Sequence, residues 1–118
     1  MLVDSHCHLD RLDLSPYQGQ LSEALNAARA VGVTAFLSIS VELSEYPTLI
    51  NIVENNDSVW MSVGVHPNDT AEVPSVETLV KLCDHPKVVA LGETGLDYYR
   101  TDERSMQQQS FVHHIEAR

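Results

Sequence analysis

The sequence predicts an α/β fold of four βα units with parallel strands, on three observations. Short apolar runs rich in β-formers recur four times, helix-period segments lie between and after them, and Gly, Pro and Asn punctuate the joins. Such alternation argues for a parallel sheet covered by helices. An open doubly wound sheet and the first half of a (β/α)8 barrel begin with the same alternation, so the pattern alone leaves both open.

The elements follow in order. Residues 1–8 open as a short strand running into "VDSHCHLD". Across 17–31, Leu21, Ala24, Leu25, Ala28 and Val31 fall at helical spacing, and Gly32 stops that helix. "VTAFLSIS", 33–40, alternates as a strand; Ser44 then caps a helix with Tyr46, Leu49, Ile50 and Val53 on its apolar face, ended by Asn55 and Asn56. "VWMSVGV", 59–65, is the third strand. Ser75 opens a helix that turns Val76, Leu79, Val80 and Cys83 toward the core. "KVVALGE", 87–93, is the fourth strand. The loop "TGLDYYR" follows, then a last helix from Thr101 or Asp102 that still runs at Arg118.

Length and composition set bounds. With 118 residues, 43% hydrophobic and 20% charged, the expectation is a single globular domain over 1–118. Seven basic against 17 acidic residues give a net charge of −10, which excludes nucleic-acid binding by a plain basic patch. No apolar run approaches a membrane span, and the first residues lack the basic and apolar regions of a secretory signal; no membrane partner and a cytoplasmic location are expected. Cys7 and Cys83 show no paired spacing and read as reduced thiols.

The chemistry centres on "HCH". On a strand, side chains alternate, so His6 and His8 share a face and can reach one divalent cation while Cys7 points away. A lone H-x-H is a weak signal, since chance supplies roughly 0.3 such pairs in a chain of this composition. Position strengthens it. His66 follows the third strand in "GVHPND" and Glu93 ends the fourth in "LGETGLD", so all four groups reach the carboxyl ends of strands, where parallel α/β folds build their sites. Mixed imidazole and carboxylate donors suit zinc, manganese, cobalt or nickel, and magnesium where oxygens and waters dominate. A cation would also let an acidic chain handle a polyanion. Asp4, Asp10 and Asp97 are candidates to orient imidazoles or substrate. Tyr98, Tyr99 and Arg100 can stack on a base or pair with a phosphate, or else pack a helix start. His85, in a loop before the fourth strand, and His113 and His114, adjacent on a helix, read as non-ligands.

Together "DSHCHLD", "GVHP" and "GETGLDYYR" resemble, in order and spacing, the TatD family of metal-dependent deoxyribonucleases, and the resemblance runs on to "QQSFVHHIEAR". It implies the first half of a TIM (β/α)8 barrel of the amidohydrolase superfamily. It also implies hydrolysis of DNA phosphodiester bonds with one or two divalent ions, Mg, Mn or Zn, through which DNA is engaged as substrate. Carried over by position, His6 and His8 match metal ligands, and Glu93 matches the acidic ligand, which bridges two metals and serves catalysis. His66 matches a motif histidine near the site; Asp97, Tyr98 and Arg100 fall where a loop would meet substrate or support the ligands. The family's later ligands, two histidines and an aspartate, have no counterpart here. A barrel takes about 250 residues, so the chain is expected to be truncated relative to the family. Two other readings stand beside this one: amide or ester hydrolysis by the same ligands, and a non-catalytic fragment. Unpaired first and fourth strands and an apolar inner face further predict a homodimer.

Overall fold

A computed structural model describes residues 1–69 and 71–118. Four strands, β1 (Leu2–Cys7), β2 (Val33–Ser38), β3 (Val59–Val63) and β4 (Val88–Leu91), form one sheet in sequential order, every neighbouring pair parallel. Helices α1 (Leu21–Ala30), α2 (Tyr46–Glu54) and α3 (Val76–Leu82) make the crossovers, and α4 (Arg104–Glu116) follows β4. Leu25, Leu49, Val53 and Leu79 meet Phe36, Val59, Met61 and Val63 in a buried core between helices and sheet. On the other face Val3, Ala35, Leu37, Trp60 and Val89 line a shallow apolar surface. No helix among the described residues is long and apolar enough to cross a membrane.

Several boundaries differ from expectation for local reasons. The first helix starts at Leu21 rather than 17, because Pro16 sits in a 3-10 turn (Ser15–Tyr17) and Gln18 and Gly19 follow at φ 55° and 75°, left-handed values that no helix continues through. Ser44 caps nothing. It lies inside a 3-10 turn, Leu43–Glu45, where Glu42 and Glu45 cap each other reciprocally. Ser75 does cap α3, its hydroxyl accepting from the Thr78 N–H at 3.1 Å. Cys83 packs half-buried against the core, while Val80 is half exposed on the solvent side of α3. α4 closes at Glu116, two residues short of the expected end, and begins at Arg104.

The last three strands also stop short at their carboxyl ends, β2 at Ser38, β3 at Val63 and β4 at Leu91. Serine hydroxyls take over from the ladder there. Ser40 donates to the Gly64 carbonyl at 2.9 Å, and Ser62 donates to the Gly92 carbonyl at 2.6 Å while accepting from the Ser40 N–H at 3.1 Å. These buried hydroxyls satisfy backbone groups where the strands splay. The effect is a polar rim on one edge of an otherwise apolar sheet.

Candidate metal centre

β1 delivers two imidazoles. Its register against β2 slips between Asp4 and Cys7, which pair with Phe36 and Ser38, so three steps on β1 oppose two on β2. The slip puts Asp4 and Cys7 in one groove with Leu25, Ala28 and Phe36, on the helix-covered face. There the Cys7 thiol donates to the Leu37 carbonyl at 3.3 Å, and burial, followed by the nearby Asp4 and Asp10, pushes it up to about 12. His6 remains on β1, and His8 lies just past it; their rings meet edge to face with centroids 5.2 Å apart. His8 Nδ1 donates to the Ile39 carbonyl at 2.9 Å, which leaves its Nε2 with a lone pair.

Glu93 has further to travel. Three strand spacings separate β1 from β4, about 14 Å on a flat sheet. The backbone closes that gap by crossing over the end of β3: Gly92 N–H donates to the Val63 carbonyl at 2.8 Å and Glu93 N–H to the Ser40 carbonyl, beyond β2, at 2.9 Å. Gly64 makes the crossing possible, since a Cβ there would lie 2.5 Å from the Gly92 carbonyl carbon. The Glu93 carboxylate thus arrives between histidines, Oε2 at 3.6 Å from His6 Nε2 and Oε1 at 3.5 Å from His66 Nε2.

One donor atom from each of His6, His8 and Glu93 lies within 4.8 Å of the others, close enough for one ion to touch all three. Two neutral imidazoles and a carboxylate suit a divalent cation. His66 is of another kind. Its Nδ1 accepts from the Asn68 N–H at 3.0 Å, so in the neutral ring the proton sits on Nε2, which faces Glu93 as a donor.

The remaining expected residues divide. Asp97 joins the site through Asn68, whose amide donates to Asp97 Oδ2 at 2.8 Å, and this bond holds the Asp97 carboxyl below its ordinary range. Asp4 accepts from the His6 N–H at 3.2 Å and so braces backbone rather than a ring. The Asp10 side chain, 6% exposed, lies 3.9 Å from Arg11 and keeps Oδ1 without a hydrogen-bond partner; burial raises its carboxyl. Tyr98 packs the helix start: its hydroxyl accepts from Gln108 at 2.9 Å and its ring lies under Arg104 at 4.7 Å. Tyr99 is 96% exposed, and the exposed Arg100 guanidinium comes within 4.0 Å of Asp97. His85 sits 3.3 Å from Glu54, away from the rim. The sequence marks neither Asn68 nor Gln107, and His114 only as a non-ligand. The Asn two residues after His66 in "HPND" was a usable turn signal; the other two lie on a helix without an apolar stripe.

A family model described as TatD related DNase matches residues 3–117. Among relatives, a protein named as the uncharacterized metal-dependent hydrolase YcfH of Escherichia coli K12 is 44% identical over 116 residues, covering 98% of this chain and 44% of that protein. One named as the uncharacterized metal-dependent hydrolase TatD of Mycobacterium tuberculosis is 32% identical over 98% of this chain and 46% of that protein. Among solved structures, the TatD homologue YjjV of E. coli K12 superposes with a TM-score of 0.81 at 24% identity, covering 98% of this chain and 46% of that one. A hydrolase TatD family protein of Entamoeba histolytica gives 0.77 at 23% identity, over 96% of this chain and 44% of that one. The chain therefore spans less than half the length of the proteins it matches, and its four parallel strands are the first half of their barrel. By that match, over nearly its whole length, the chain belongs to the TatD related DNase family.

Proposed function

We propose that this chain carries the first ligands of a metal-dependent hydrolase that cleaves phosphodiester bonds of DNA. One observation carries the reading: His6, His8 and Glu93, 87 residues apart at the widest, bring their donor atoms within 4.8 Å at one rim. The family's description as a DNase supports the substrate class. His6 and His8, with Glu93 from just beyond β4, would hold one or two divalent ions, magnesium, manganese or zinc. The chemistry such an ion supplies when bound is Lewis acidity toward a phosphoryl oxygen and a water of lowered pKa. His66 donates from Nε2, either to Glu93 or to a non-bridging oxygen of the scissile phosphate, and Asn68 fixes that polarity by donating to Nδ1. Arg100, exposed on the β4–α4 loop beside Asp97, would meet a neighbouring phosphate.

The test is calorimetric titration of the apo chain with manganese and zinc, followed by incubation of the loaded chain with a labelled oligonucleotide and a panel of amides and esters. Saturable binding that His6→Ala, His8→Ala and Glu93→Gln each weaken, together with oligonucleotide cleavage, supports the reading. Cleavage confined to the amide and ester panel contradicts the phosphodiester assignment. Binding without turnover of any substrate places the reaction beyond these 118 residues.

A further inference from the structure

α4 has an unusual inward face. Its buried residues are Gln107, Ser110 and His114, all polar, at the i, i+3, i+7 spacing where a docking helix would carry Leu or Ile. Burying such groups is unfavourable unless they find partners, and for Gln107 and His114 those partners are backbone groups. His114, 2% exposed, donates from Nδ1 to the Ser110 carbonyl at 2.7 Å and accepts at Nε2 from the Val65 N–H at 3.1 Å. Gln107 is fully buried and holds Asp97 in both directions, its carbonyl accepting from the Asp97 N–H at 2.8 Å and its amide donating to the Asp97 carbonyl at 3.0 Å. His113 donates to the Pro74 carbonyl at 2.7 Å.

The partners fall in two loops. Val65 and Pro74 bracket the segment that carries His66 and Asn68, and Asp97 belongs to the loop after β4 that carries Arg100. The two loops are tied directly by Asn68 to Asp97 at 2.8 Å. Burial holds the His114 imidazole below its ordinary pKa, in keeping with a neutral ring that must accept at Nε2.

We infer that α4 is a polar clip for the site: His114 and His113 close the β3–α3 loop at either end, Gln107 seats the β4–α4 loop, and through them His66 is aimed at Glu93. His114 and Gln107 are thus positioning residues that touch neither ion nor substrate. The functional weight of the clip rests on the reading of His66 given above, but its existence does not.

Hydrogen exchange on the 118-residue chain tests it. His114→Leu removes the acceptor and keeps an inward side chain of similar size, whereas His114→Gln restores an acceptor at the ε position. The clip predicts that the Leu variant exchanges the amides of Val65, His66, Asn68 and Asp69 at least about tenfold faster, with those of Phe36 to Ser38 unchanged. It predicts that the Gln variant recovers most of the protection, and that the His66 ring nitrogens lose their fixed Nε2–H signature only in the Leu variant. Uniform acceleration across the sheet, unchanged loop protection, or equal loosening in both variants would overturn the inference. His113→Ala, at a half-buried position, frees the same segment at Pro74; it carries the test if His114→Leu does not fold, with faster exchange confined to 71–75 supporting the clip and native protection there opposing it. Because exchange is read without turnover, loss of the clip and loss of the hydrolase reading register separately.

Discussion

His8 and His66 are fixed in opposite tautomers by backbone partners, a carbonyl at Ile39 for one and an N–H at Asn68 for the other, so two histidines at one rim present a lone pair and a proton. Ring-nitrogen NMR of the metal-free chain near pH 8 should show the His8 proton on Nδ1 and the His66 proton on Nε2. If His8 holds the ion as proposed, His8→Ala is expected to lower metal affinity by more than the roughly 10–100-fold that outer partners cost. Cys7 should resist alkylation at pH 8 in the native chain, because a thiol pushed up to about 12 holds almost no thiolate there; rapid labelling would show that β1 opens. His114 makes stability depend on pH. Its native pKa lies below 6.5, so its contribution is whole above about pH 6.5 and is lost as pH falls through the lowered native value. Thermal melts between pH 7 and 5 should fall more steeply in the native chain than in His114→Gln. His6, His8 and Glu93 were legible in the sequence because ligand types at strand ends leave a local mark. Gln107 and His114 were not, since each works through a bond outside its own helix, 10 residues away for Gln107 and Asp97 and 49 for His114 and Val65; Asn68 left only a turn signal beside His66.

Elements show the same division. The helices α1, α2 and α3 could be read from their apolar faces, and the four strands from short apolar runs, rich in β-branched residues in β2, β3 and β4. α4 was expected from its position alone, and its docking face could not be read because Gln107, Ser110 and His114 replace apolar side chains. The strand ends were misjudged for a related reason. Ser40 reads as a strand residue but lies past β2, and there its hydroxyl and that of Ser62, near the end of β3, bond backbone carbonyls where the chain leaves the sheet. Gly64 reads as an ordinary glycine in "GVHP" until the backbone of Gly92 is found against it. Gly64→Ala should therefore push Gly92 and Glu93 away, destabilising the chain by about 1–3 kcal/mol in denaturant melts and weakening metal binding as well. An alanine variant with native affinity would mean that the crossing over β3 does not place Glu93.

At the scale of the whole molecule, half a barrel leaves β1 and β4 each with an unpaired edge and exposes the face lined by Val3, Trp60 and Val89. A two-fold axis along the barrel direction would set β1 of one copy beside β4 of another with all strands parallel, and both metal rims at the same end. Sedimentation of the 118-residue chain should accordingly show a dimer that tightens with salt, because a charge of −10 on each copy opposes association until it is screened. A monomer at every concentration and ionic strength would contradict this. The alternation of strands and helices made the parallel sheet legible early. Choosing a barrel half over an open sheet needed the motifs, and the superposition on the YjjV structure then agreed. The convergence of His6, His8 and Glu93 on one ion is tested most directly by anomalous diffraction from crystals grown with manganese. It predicts one dominant peak within about 2.0–2.3 Å of a nitrogen from each histidine and an oxygen of Glu93. A strong peak elsewhere, with these three side chains bonded only to one another, would contradict it.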